Sequence, residues 1–220
     1  MSWCRKIYDW LKRPKRYRNI YQTIRTIKPK NLMEIGTWNG QRSFLMIKTA
    51  QQFHPGSAVI YHGFDLFEEM TPEKLDQEIS KLPPTRNEVL GKLQVTSAHI
   101  QLYRGDTRKT LPLVIKSLPP MDFIFIDGGH SLETIANDWH YVQKLMHQKT
   151  VVVFDDYWEN REDAGAKPII DKIDKKKFNV EILKPQDRFT KPAGVLKINF
   201  VKVTAKNNYE QKDRYLHCWP

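Results

Sequence analysis

Seven short apolar runs, separated mostly by longer segments of mixed polarity, constrain this chain more than anything else in it. They are Leu32–Ile35, Ala58–Phe64, Ile100–Arg104, Phe123–Asp127, Val151–Phe154, Val180–Leu183 and Val195–Val203. Runs of this length bounded by polar segments are strands, and connections long enough to hold a helix make consecutive strands parallel. The connections are that long up to Val151. The last two runs are separated by a turn containing Pro185, Pro192 and Gly194 and read as a terminal antiparallel pair. The expected fold class is therefore α/β, a three-layer sandwich around a seven-stranded, mostly parallel sheet with a terminal antiparallel strand. A chain of 220 residues buries one such core without dividing. The expected organisation is a basic helical leader over residues 1–30, the domain over 31–205 and a polar tail over 206–220.

The charge sits mostly in the leader. Of the formal +11, residues 1–30 contribute +9, with ten Lys and Arg against Asp9 alone. A body this close to neutral weakens a general nucleic-acid reading. Trp3, Ile7, Trp10 and Leu11 recur at helical spacing before Pro14, which suits docking on the chain's own domain or on a second subunit, as in a homo-oligomer. An anionic membrane surface or a polyanion is the other occupant such a helix would take. A second helix, Tyr17 to Ile27, turns Ile20, Ile24 and Ile27 towards a core. No stretch approaches the roughly 18 apolar residues of a membrane span, and the charged start is no signal peptide, so a cytoplasmic location is expected. Cys4 and Cys218 lie near opposite ends and indicate neither a disulfide framework nor a zinc site.

The chemistry lies at the ends of the runs. Leu32–Ile35 leads into a turn with Gly36, Thr37, Trp38, Asn39 and Gly40, then into a helix carrying Ser43. A dinucleotide turn would read G-x-G-x-x-G; here the glycines are four apart and Glu34 stands two residues ahead, where it would repel a pyrophosphate. That acid suits a cationic ligand, and S-adenosylmethionine, with its sulfonium and α-amino group, is one. Asp65 ends the second run, about where nucleoside-binding α/β folds place an acid against the ribose hydroxyls, and Asp106 with Thr107 follows the third. For Asp65 or Asp106 taken singly, a helix N-cap is an equal reading.

Two further runs end in Asp127-Gly-Gly-His130 and in Asp155-Asp156. Adjacent parallel strands would gather the three carboxylates at one sheet edge, where they repel unless a cation neutralises them. Mg²⁺ or another hard divalent ion suits an all-oxygen set, although acids at strand ends also cap helices or face solvent. The stretch Glu68 to Gly91, with Pro72, Pro83 and Pro84, reads as a helical insertion or lid.

In this order the motifs resemble the class I S-adenosylmethionine-dependent methyltransferases, which have a Rossmann-like sheet. They are most similar to the metal-dependent O-methyltransferases of the catechol, caffeoyl-CoA and macrocin type, from about Asn31 to Phe200. The resemblance implies that Glu34, Gly36, Thr37, Trp38, Asn39, Gly40 and Ser43 hold the methionine part. It puts Asp65 on the ribose and Asp106 and Thr107 near adenine, counts Asp127 among the cofactor-binding residues, and puts Asp127, Asp155 and Asp156 on the metal. Catechol-type enzymes carry a lysine base where this chain, like the macrocin branch, has His130. With an ordinary pKa near 6.5 it would accept a proton at neutral pH; alternatively it only hydrogen-bonds the carboxylates or the loop. The usual Pro-Gly-Gly turn is replaced by His147 to Thr150. The expected acceptor is a small-molecule hydroxyl on a sugar, polyketide or phenol, between the Glu68–Gly91 insertion and the Tyr157–Lys167 loop, with Trp158 as a wall. A nucleic-acid methyltransferase and a non-catalytic nucleotide-binding or membrane-associated scaffold are the alternatives.

Overall fold

The structure, a computed structural model, describes residues 14–191 and 194–207. The helix anticipated over Trp3 to Leu11 and most of the polar tail lie outside the described residues. Apolar residues i and i+4 build α1 (Arg18–Ile27), whose Ile20 and Ile24 are fully buried. A left-handed Lys28 and then Pro29 end it. Five strands follow with helical crossovers: β1 (Asn31–Ile35), α2 (Gln41–Ala50), β2 (Ile60–Asp65), α3 (Pro72–Gln77), α4 (Arg86–Gln94), β3 (His99–Arg104), α5 (Thr107–Val114), β4 (Met121–Ile126), α6 (Leu132–Val142) and β5 (Met146–Trp158). The chain closes with α7 (Lys167–Ile170), β6 (Phe178–Ile182), β7 (Asp187–Lys191) and β8 (Gly194–Ala205).

The sheet runs β3-β2-β1-β4-β5-β8-β6, its first five strands parallel. β8 enters antiparallel between β5 and β6, and β7 folds against its first half as a hairpin. The α/β sandwich is as expected, with eight strands in place of seven. Alternation along the strands builds its two cores. Phe123 and Phe125 of β4 face α1, α2 and α4 with Leu32, Met46 and Leu93, whereas Ile124 and Ile126 face α5, α6 and α7 with Leu111, Ile135 and Ile170.

The missing glycine turn and the insertion acquire a structural account. At His147–Thr150 the Thr150 hydroxyl donates to the Met121 carbonyl at 2.6 Å and accepts the His147 N–H at 2.7 Å, which closes the entry to β5 without a glycine turn. The insertion is helical, and Thr85 and Glu88 form a capping box at the start of α4. Among the described residues no helix is long and apolar enough to cross a membrane.

Candidate functional site at the sheet reversal

The strand order reverses at β1, with β2 and β3 on one side and β4 and β5 on the other. In open α/β sheets the crevice outside the carboxyl ends at such a point is where ligands bind. A cavity of about 400 Å³ opens there. Gly36, Trp38, Asp65, Asp106, Thr107, Asp127, His130, Asp155 and Asp156 all line it, so strand ends from β1 to β5 converge on one space. Glu78 to Lys81 and Pro83 of the insertion form another wall.

Gly36 shapes the floor. Its φ of +91° is open to glycine at little cost, and its N–H donates to the Phe64 carbonyl at 2.8 Å. The Asp127 N–H donates in turn to the Ile35 carbonyl at 2.8 Å, which locks the tips of β1 and β4 together. Asp65 accepts the Trp38 N–H at 2.7 Å and the Phe67 N–H at 3.2 Å. Burial raises its pKa while these bonds oppose the rise.

Other members of the Gly turn are placed differently from expectation. Glu34 and Ser43 are fully buried and do not line the cavity. β1 is central and covered by α2, so Glu34 points into the core, where one carboxylate oxygen accepts the Ser43 hydroxyl at 2.5 Å and the Tyr61 hydroxyl. Its other oxygen has no hydrogen-bond partner among the described residues. Thr37 is buried and donates to Asp65 at 3.4 Å, Asn39 accepts the Gln41 N–H at 3.0 Å, and Gly40 caps α2 against Val89. These residues build the turn from outside the cavity lining.

Burial pushes the Glu34 pKa from 4.5 up to about 7, against the pull of Ser43, Tyr61 and Arg42. The native state therefore holds this proton more tightly than the unfolded chain, so stability is full below pH 4.5 and falls as pH rises through 7. Glu34→Gln cannot ionise and is expected to lose up to about 3 kcal/mol less stability than wild type between pH 4 and pH 8. Urea denaturation at several pH values checks this; parallel curves for the two proteins would refute it.

Asp106 combines both readings open to it. It caps α5 through the Arg108 N–H at 3.0 Å, pairs with the Arg108 guanidinium at 2.7 Å, and still lines the cavity. The guanidinium holds its pKa below the usual carboxylate range.

At the other end the three aspartates meet, with one ligand atom from each lying within 4.8 Å of the others. Each carries its own protein cation. Arg42 pairs with Asp127. Arg16 reaches Asp155 through Nε at 2.9 Å and Nη2 at 3.0 Å. His130 Nε2 lies 2.6 Å from Asp156 Oδ2. Tyr17 sits among them, its hydroxyl donating to Asp155 at 2.9 Å and the Arg42 guanidinium 3.8 Å from its ring centroid.

His130 departs from the expected ordinary imidazole. Burial disfavours its charge, but the Asp156 hydrogen bond and charge and the Glu78 carbonyl outweigh this, lifting its pKa to about 9. Charged, it donates from Nδ1 to the Glu78 carbonyl at 2.5 Å and from Nε2 to Asp156. The Glu78 carboxylate accepts from the Ser131 N–H at 2.9 Å and the Thr134 hydroxyl at 2.7 Å, tying the insertion to the His130 turn. Trp158, expected as a cavity wall, instead backs His130: the rings stack at 5.2 Å and the indole N–H donates to Asp156 at 3.1 Å.

Arg16, Tyr17, Arg42 and Asp187 were not anticipated in the site. Arg16 was counted only as leader charge, and nothing local in the sequence ties it to Asp155, 139 positions on. The signal available for Arg42 was its place in the first turn of the helix after Gly40.

Residues 33–157 match a family described as "Methyltransferase domain". Among solved structures, the O-methyltransferase TomG from Streptomyces achromogenes, involved in tomaymycin synthesis and bound to SAM, is similar. It shares 14% identity over 86% of this chain and 79% of that one, with a TM-score of 0.58. An O-methyltransferase from Bacillus cereus in complex with SAH shares 15% identity over 88% and 82%, with a TM-score of 0.59. At such identities the likeness is one of fold. An uncharacterised protein, R132, of Acanthamoeba polyphaga mimivirus is 32% identical over 76 residues, 34% of each chain, so the match spans about a third of that relative. The family match covers more than half of the sequence, the fold is one that the similar structures share, and the chain belongs to the methyltransferase-domain family.

Proposed function

We propose that the protein transfers the methyl group of S-adenosylmethionine to a hydroxyl of a small molecule. The observation that carries this is the single cavity in which the nucleoside-type acids Asp65 and Asp106 share space with the acid and His130 end. Its volume of about 400 Å³ lies within the range of small-molecule pockets. The donor set fits the cofactor: Asp65 would accept ribose hydroxyls, Asp106 and Thr107 would lie near adenine, and Gly36 would let the backbone come close to the methionine part. When bound, S-adenosylmethionine supplies a methyl carbon activated by its sulfonium for in-line attack.

The metal assistance implied by the resemblance fits the residue types but not their arrangement. A carboxylate offers about four lone-pair positions. Those of Asp155 are taken by Arg16 Nε and the Asp156 N–H on Oδ1, and by Arg16 Nη2 and the Tyr17 hydroxyl on Oδ2. His130 remains our choice for the group that takes the acceptor proton: when the ring is neutral, Nδ1–H donated to the Glu78 carbonyl leaves the lone pair on Nε2, beside Asp156.

Titration calorimetry with S-adenosylmethionine tests the cofactor, and absence of binding would end the methyltransferase reading. Asp65→Ala is expected to weaken binding about 10- to 100-fold, because two hydrogen bonds to a charged acceptor are lost. Because His130 is mostly charged below pH 9, kcat/KM is expected to rise with pH through a midpoint near 9, and His130→Ala should lose that limb. A wild-type profile flat from pH 6 to 9.5 would remove His130 as the base.

A further inference from the structure

We propose that Arg16 is the resident counter-ion of the acid triad, so that the site works with a guanidinium where a divalent ion would otherwise be needed and is closed to such ions.

Arg16 is built in from several directions. It is 5% exposed. Besides its two bonds to Asp155 on β5, its Nη1 reaches Asp187 on β7 at 3.1 Å, and its guanidinium lies 5.4 Å from the Phe200 ring centroid on β8. Asp187 also fixes the backbone that carries it, accepting the Arg16 N–H at 3.1 Å and the Lys15 N–H at 2.9 Å. Two carboxylates from different strands therefore aim one guanidinium, in a forked geometry that matches Asp155.

The pairing agrees. Three carboxylates crowd one edge, and each has one basic side chain against it: Arg16 on Asp155, Arg42 on Asp127 and His130 on Asp156. An arginine does not lose its proton in a protein, so the compensation that Arg16 gives Asp155 is permanent. A divalent ion would have to displace a bidentate, doubly anchored guanidinium and leave it buried against Asp187 alone. With Arg16 in place, an acceptor oxygen over the triad meets side chains and no Lewis acid.

The test is Mn²⁺ binding to the full-length protein, followed by loss of the free-ion electron paramagnetic resonance signal, with and without S-adenosylmethionine. Wild type is expected to show no saturable site up to about 1 mM, the weak end of protein sites for hard cations. Arg16→Ala frees Asp155 and should tighten Mn²⁺ binding by at least about tenfold, an effect cancelled in Arg16→Ala/Asp155→Asn. Arg16→Lys, which keeps a charge but cannot fork, replaces it if circular dichroism shows Arg16→Ala unfolded. Tight Mn²⁺ binding by wild type that Asp127→Asn weakens would overturn the proposal. So would a folded Arg16 variant with no gain in Mn²⁺ binding, which would leave Arg16 purely structural. The inference rests on the methyl-transfer reading only for its consequence. The same samples titrated with S-adenosylmethionine separate the two, since cofactor binding can fail or succeed whatever Mn²⁺ does.

Discussion

Gly36→Ala is expected to destabilise the protein by about 3–5 kcal/mol, combining a left-handed backbone strained for alanine with a forced overlap. A Cβ at this position would sit 1.9 Å from the Asp127 carbonyl oxygen, 2.4 Å from its carbon and 2.7 Å from the Gly128 Cα. All three are backbone atoms, so no rotamer change relieves the overlap. Relief requires parting the tips of β1 and β4, which breaks the Asp127-to-Ile35 hydrogen bond and moves Asp127 within the cavity. Against a typical total of about 5–15 kcal/mol the variant would be marginal, and cofactor affinity should fall with it. Gly91→Ala is the control, because nothing lies within 4 Å of its Cβ and it is helical; it should stabilise by about 0.5–1 kcal/mol. Urea denaturation of both checks the pair. A Gly36→Ala cost below about 1 kcal/mol would show that the strand tips give way more easily than their geometry implies.

The second large effect concerns the buried ion cluster. Asp155→Ala removes two bonds from a guanidinium whose side chain is 6% exposed and leaves Asp187 as its remaining carboxylate. Breaking one partner of a buried pair costs about 3–5 kcal/mol, because the other charge stays behind in a low-dielectric site. The double variant Arg16→Met/Asp155→Leu should recover a substantial part of that loss, since well-packed apolar replacements of buried pairs are often near neutral. A double-mutant cycle by denaturation, with Arg16→Met and Asp155→Leu as its single variants, measures the coupling. If the two single variants simply added, the pair would be behaving as a surface contact and its role as the triad's counter-ion would be in doubt.

Residue spacing made much of this molecule legible. Apolar runs between helix-length connections gave the parallel sheet, and the carboxylates ending those runs located Asp65, Asp106, Asp127, Asp155 and Asp156 on one cavity, because strand ends are where a parallel sheet opens. Glu34 and Ser43 went astray for a related reason: β1 is covered on both faces, so an acid on it can point inward as readily as toward a ligand. β7 escaped notice because Asp187–Lys191 is mostly polar and is flanked by prolines, which obscures an edge strand paired on one side. Arg16 was illegible for a different reason. Its partners lie 139 and 171 positions away, and its charge merged with nine other basic residues in a segment that composition marks as separate.

The hydrogen bonds from residues 15 and 16 to Asp187 also bear on how the molecule comes into being. They join positions more than 170 apart, so during synthesis the Asp65 and Asp106 side of the crevice can be made long before the aspartate cluster has its last anchor. A nascent chain stalled before Asp187 emerges would carry β1 to β5 without the carboxylate that fixes the backbone of residues 15 and 16.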